Sequence, residues 1–133
     1  MDNPPLDTLP YRRRCEEILR ARGWRYLSEI REDADEVGFL FRRGGPQVRN
    51  ADDILVISLA RTARPELIVM HAQMLTDMAS FSQNAGSVVI VEEPNAPGAD
   101  LSFAELLSPD GESTLLAVVD RLHAWRTPEP TIS

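Results

Sequence analysis

The residues of this 133-residue chain best suited to chemistry are its acids. Glu16 and Glu17 sit together near the N-terminus. Asp33, Asp35 and Glu36 form a run, and Asp52 and Asp53 precede an apolar stretch. Carboxylates clustered near strand ends can hold Mg2+ through hard oxygen ligands. With a cation beside an attacking water they can support metal-dependent hydrolysis. The set that would do so is Glu17, Asp35 and Asp53, with Arg61 as the cationic helper. The competing reading, which we prefer, makes the run at 32–36 a solvated turn and Asp52-Asp53 loop punctuation. Arg42, Arg43 and Arg49 surround Gly44-Gly45-Pro46, and their guanidinium forks suit an anion, either phosphate or carboxylate.

The residue types that are missing narrow the chemistry further. All fourteen Lys and Arg residues are arginine. Schiff bases, lysine general bases and P-loop phosphate clamps are therefore excluded, because a guanidinium stays protonated. His71 and His123 have no second His or Cys at ligand spacing. Cys15 stands alone, reads as a small core residue and cannot close an internal disulfide. No Ser lies in a Gly-x-Ser-x-Gly elbow, and Gly44-Gly45 lacks the rest of a phosphate-binding motif. The expectation is a chain without an assembled catalytic set, metal or cofactor.

The net charge of −7 is unevenly spread. Residues 1–64 hold twelve Arg against eleven acids, a balance of +1, and residues 65–133 hold two Arg against ten acids, a balance of −8. An acidic chain repels phosphate backbones, which disfavours nucleic acid as a general partner, although an Arg-rich face in the first half keeps it in play. Such asymmetry can mark a partner surface, and the acidic second half is the expected one. No run approaches the roughly 18 apolar residues of a membrane span, and Met1-Asp2-Asn3-Pro4-Pro5 is unlike a signal peptide. The expected location is the cytosol.

Residues 1–9 are expected to be frayed, 10–126 to form one domain and 127–133 a disordered tail. Pro10 suits a first helical turn, and Tyr11, Cys15, Ile18 and Leu19 give one apolar face that ends at Gly23. This helix exposes Arg12, Arg13, Arg14 and Arg20. Segments 24–30 and 37–41 read as a hairpin, with Trp24, Tyr26, Ser28 and Ile30 on one side of the first strand. The run 54–59 is β-branched and apolar on both faces, as is 87–91. Between them a helix starts at Pro65, carries the stripe Met70, Met74, Met78 and Phe81, and ends at 84–86. Strand, helix and strand at that spacing predict a right-handed crossover with parallel strands. Ser102 and Glu105 form a capping-box pattern for a short helix to Leu107, and 115–125 is the last helix. The order is α-β-β-β-α-β-α-α.

That order resembles the core of the restriction-endonuclease-like fold, nearest to the Mrr-like restriction endonucleases, over residues 11–91. Arg22-Gly23-Trp24 is similar to the family's Gly-aromatic step. Val37-Gly38-Phe39-Leu40-Phe41 is similar to its strand bearing a metal-binding Asp. The segment from Ile54 to Arg61 is similar to its strand carrying an acid or Gln, one spacer and a Lys. The resemblance implies a three-layer α-β-α arrangement on a mixed sheet. It also implies a metal-binding Asp near Gly38 or Phe39, an acid at Ser58 and a Lys at Ala60, and none of these is present.

The leading expectation is therefore a non-catalytic restriction-endonuclease-like module that acts through protein contacts, with a partner or with itself as a homodimer. The alternatives are a divergent metal-dependent nuclease built on Glu17, Asp35, Asp53 and Arg61, or a small acidic dimeric chaperone-like or immunity-type protein that holds a basic client.

Overall fold

Pro10 has a helical φ built in and no amide to lose, so it belongs in a first turn. The computed structural model describes residues 7–33, 35–43, 53–61, 84–94 and 98–121, with backbone alone at 31–33, 53, 84 and 85. In it α1 runs Leu9–Arg20. Residues 7–9, the end of the segment expected to be frayed, make hydrogen bonds in the structure. The Leu9 amide donates to Asp7 Oδ1 (3.2 Å), and the Thr8 hydroxyl donates to Glu29 Oε1 (3.0 Å). Thr8 holds the N-cap position without a side-chain cap bond, because its hydroxyl is used to reach the next element. Gly23, at φ +86°, turns the chain through the left-handed region that glycine tolerates best. The Gly23 and Trp24 amides donate to the Arg20 and Leu19 carbonyls, closing the helix end.

Five strands follow: β1 (Arg25–Asp33), β2 (Glu36–Arg43), β3 (Asp53–Ala60), β4 (Asn84–Val91) and β5 (Leu101–Ser102). Two helices close the described chain, α2 (Phe103–Leu107) and α3 (Gly111–Arg121). The sheet order is β1-β2-β3-β4-β5, antiparallel at the first two pairings and parallel at the last two. The expected hairpin and the parallel β3–β4 pair are both present in a mixed α/β fold. The expected Met-rich helix from Pro65 lies outside the described residues, as do His71, His123, Arg49 and the tail 127–133.

Alternation along β2 and β3 divides the core between two faces. Val37, Phe39 and Phe41 point to one face, joined by Leu55, Ile57, Leu59, Val88, Ile90 and Leu101. Against them pack Cys15, Ile18 and Leu19 of α1, Phe103 and Leu106 of α2, and Leu115, Val118 and Val119 of α3. All three described helices therefore share one layer. The second face carries the rungs Gly38–Ser58–Val89 and Glu36–Ala60–Val91, and those residues are buried too. Cys15 is fully buried, and its thiol is pushed up to about 12, mainly by burial, with Arg14 opposing and Glu16 adding.

Local readings that differ from the structure have identifiable causes. A bulge between Tyr26 and Ser28 leaves Leu27 as the extra residue, so Tyr26 pairs with Phe41 while Ser28 pairs with Leu40. Ser28 and Ile30 thus leave the face of Tyr26, and Leu27 is 46% exposed. The acidic run 32–36 is mostly strand, split by the turn at Asp35. Residues 84–86 belong to β4, because β3 offers them a ladder from Asp53 to Leu55. Strand β5 has only two residues, too few for a periodic signal. Ser102 caps α2 with both capping-box bonds, as the sequence suggests. Helix α3 starts at Gly111, not at Leu115. An added Cβ there would strike the Leu106 carbonyl and lie 2.7 Å from that of Glu105. A poor helix former stands here because only glycine fits the close approach.

Candidate interaction surface

The helix α1 places Arg12, Glu16 and Arg20 at intervals of four, hence in one line along its surface. Gly23 then reverses the chain, so that Trp24, Arg25 and Tyr26 come back beside that line. The β1–β2 register sets Arg42 opposite Arg25, with Arg43 the next residue along β2. The result is a cleft of about 180 Å3 lined by Glu16, Arg20, Trp24, Arg25 and Tyr26.

Two guanidiniums lie over its rings. Arg43 Cζ is 4.4 Å from the Trp24 ring centre, and Arg12 Cζ is 5.1 Å from that of Tyr26. Trp24 is buried, and the Arg43 stem passes Gly23, where a Cβ would sit 3.7 Å from it. The Tyr26 ring meets Phe41 and Phe39 edge-on at 5.7 and 6.2 Å, so it is anchored in the core. Arg12 also faces Glu16, 3.5 Å from Nε. Among the described residues, neither Arg20 nor Arg25 has an ion-pair partner, and both are exposed. Four arginines thus border the cleft: Arg20 and Arg25 line it with Glu16, and Arg12 and Arg43 lie over its two rings. A guanidinium held over a ring has its orientation restricted, and a planar guanidinium fork suits a carboxylate or a phosphate.

The opposite end of the sheet is built differently. The Arg61 amide donates to the Asp35 carbonyl (3.2 Å), and Arg61 Nε lies 3.3 Å from Asp35 Oδ1. The Glu92 amide donates to the Ala60 carbonyl (3.0 Å). Glu36 is buried beside Ala60. Burial pushes the nearby Tyr11 phenol up, as do Glu92 and Asp7, while Arg61 acts against them.

The acids proposed from sequence for a metal site do not converge. Asp35 and Arg61 meet. Asp53 begins β3 at its far end, roughly 23 Å along the strand from Ala60. Glu17 is exposed on α1 and pairs with Arg14 at 3.1 Å. Among the described residues no group of three His, Cys, Asp or Glu is placed to hold a metal ion. Of the three arginines read as an anion grip, Arg43 borders the cleft, over the Trp24 ring. Arg42 is exposed and is not part of the cleft lining, and Arg49 lies outside the described residues. Arg20 and Arg25 were not read as site residues. The signal for them was the spacing of Arg12, Glu16 and Arg20 ahead of Gly23-Trp24-Arg25-Tyr26. Glu36, read from the sequence as part of a solvated turn, is buried, and strand parity with Gly38 and Leu40 assigns it to the second face.

No family model, curated protein or solved structure matches this chain. Among the described residues no helix is long and apolar enough to cross a membrane.

Proposed function

We propose that this protein is a non-catalytic module of restriction-endonuclease-like topology that works through protein contacts, with a second copy or another protein. The observation that carries this reading is the rung Gly38–Ser58 and its neighbour Glu36–Ala60. The resemblance calls for a metal-binding acid, a second acid and a lysine at the positions of Gly38, Ser58 and Ala60, and these side chains can supply none of them. Ser58 and Ala60 are each 1% exposed and help fill the second face of the sheet. The meander of three strands followed by a parallel fourth is compatible with the proposed topology. The open cleft at the Trp24 end offers a contact surface, and its charge favours an acidic partner over a basic client.

One observation favours the divergent metal-dependent nuclease as a second reading. Glu36 is a buried carboxylate one rung from Ser58, on the same face. Both readings are tested by incubating the protein with single- and double-stranded DNA and RNA in Mg2+ or Mn2+. The contact reading expects no cleavage above a no-protein control. Metal-dependent cleavage that disappears in Glu36→Gln would overturn it.

A further inference from the structure

We infer that the cleft between α1 and the start of β1 binds an acidic peptide segment of a partner protein, with Arg20 and Arg25 forming ion pairs to its carboxylates. The inference rests on the contact reading and names the chemistry of the partner. Its basis is the juxtaposition of two exposed arginines, without an ion-pair partner among the described residues, with two more held over rings.

Three features of the cleft select the ligand. The first is charge. Arg12 already faces Glu16, and Arg43 is held on Trp24, so the cation charge left to an incoming anion is that of Arg20 and Arg25. Two exposed guanidiniums in a cleft of about 180 Å3 fit one or two carboxylates, not a long polyanion. The second is the state of the rings. A single-stranded nucleic acid would stack its bases on exposed aromatic faces. Here Trp24 is buried under Arg43, and Tyr26 has Arg12 over its face and the core phenylalanines at its edges. The third is the surrounding field. Duplex nucleic acid needs a broad basic surface, whereas Glu16 lines the cleft and the chain carries −7 overall. A short acidic segment engages the local positive charge without aligning a long row of phosphates against the rest of the molecule.

The test uses the full chain and fluorescence anisotropy with three labelled probes: a short Glu/Asp peptide, a Gln/Asn peptide of equal length, and a single-stranded oligonucleotide of matched charge. The expected result is binding of the acidic peptide alone, weakening as salt rises. In the double variant Arg20→Ser, Arg25→Ser the affinity should fall roughly tenfold or more, as loss of charge-assisted bonds implies. Arg13→Ser removes an exposed arginine of the same helix outside the cleft, and it should keep the wild-type affinity. The inference is overturned by an acidic peptide that fails to bind, by equal affinity in the double variant, or by an oligonucleotide that binds as tightly. Those outcomes remove the cleft as an acidic-peptide site, whereas metal-dependent cleavage would remove the contact reading itself, so the two failures are distinguishable.

Discussion

Arginine is used in two ways at two places in this molecule, although the chain has no other strong base. At the junction of α1 with α2, all three guanidinium nitrogens of Arg14 are engaged. Its Nε donates to the Leu106 carbonyl (3.0 Å), one terminal nitrogen donates to the Ser108 carbonyl (3.0 Å), and the other pairs with Glu17 (3.1 Å). One rigid fork thereby satisfies carbonyls at the end of α2 that have no partner within that short helix. At the Trp24 cleft, Arg20 and Arg25 are exposed and have no ion-pair partner among the described residues, while Arg12 and Arg43 lie over rings. A saturated arginine belongs to the fold. An oriented group of arginines with charge left over points outward, to a partner.

The contrast implies a graded set of stability effects. The largest belongs to the packing that Arg14 braces. Gly111→Val should cost about 3 kcal/mol or more, because a side chain there collides with the Leu106 and Glu105 carbonyls. Urea unfolding followed by circular dichroism measures it, and a loss under 1 kcal/mol would refute the close approach. Next comes Arg14→Ala, at about 2 kcal/mol, since two carbonyls lose a charged donor. Arg14→Lys should recover less than half of that, because a single ammonium cannot span both acceptors.

Cys15 gives a smaller effect that depends on pH. Its thiol ionises near 9.0 in the unfolded chain and near 12 when buried. Below about pH 9 it is protonated in both states and contributes nothing to the pH dependence. Between 9.0 and about 12 only the unfolded chain ionises, so stability falls as pH rises. Tyr11, raised in the same direction, adds to the loss above pH 10. Unfolding curves at pH 8 and 10.5 for the wild type and Cys15→Ala separate the two groups. The wild type should lose more stability than the variant, and parallel losses would mean that the thiol is not buried. The smallest effect is that of Arg20→Ser, Arg25→Ser on stability, within about 0.5 kcal/mol of wild type, as expected for exposed side chains without partners. A larger loss would place these arginines with Arg14 as structural.

Most of the sheet could be read in advance, because Ile54 to Leu59 and Val88 to Val91 are apolar on both faces and Pro10 and Gly23 bracket the first helix. The capping box at Ser102 was visible for the same reason: a local rule decides it. What the sequence hid depends on neighbours distant along the chain. Residues 84–86 look like a helix end until β3 offers them a ladder. Gly111 looks like a turn until the α2 carbonyls approach it. Leu27 looks like an ordinary strand residue until the bulge turns it outward. The cleft was hidden for a related reason. Arg12, Arg20, Arg25 and Arg43 come from three elements, and the register that unites them depends on the bulge and on the turn at Gly23.

The most direct test of the division between saturated and outward-facing arginines is a 15N–1H spectrum of the arginine Nε–H groups during titration with the Glu/Asp peptide. The Arg20 and Arg25 signals are expected to move while those of Arg14 and Arg61 stay in place. Equal movement of all four, or movement of Arg14 and Arg61 alone, would contradict the account.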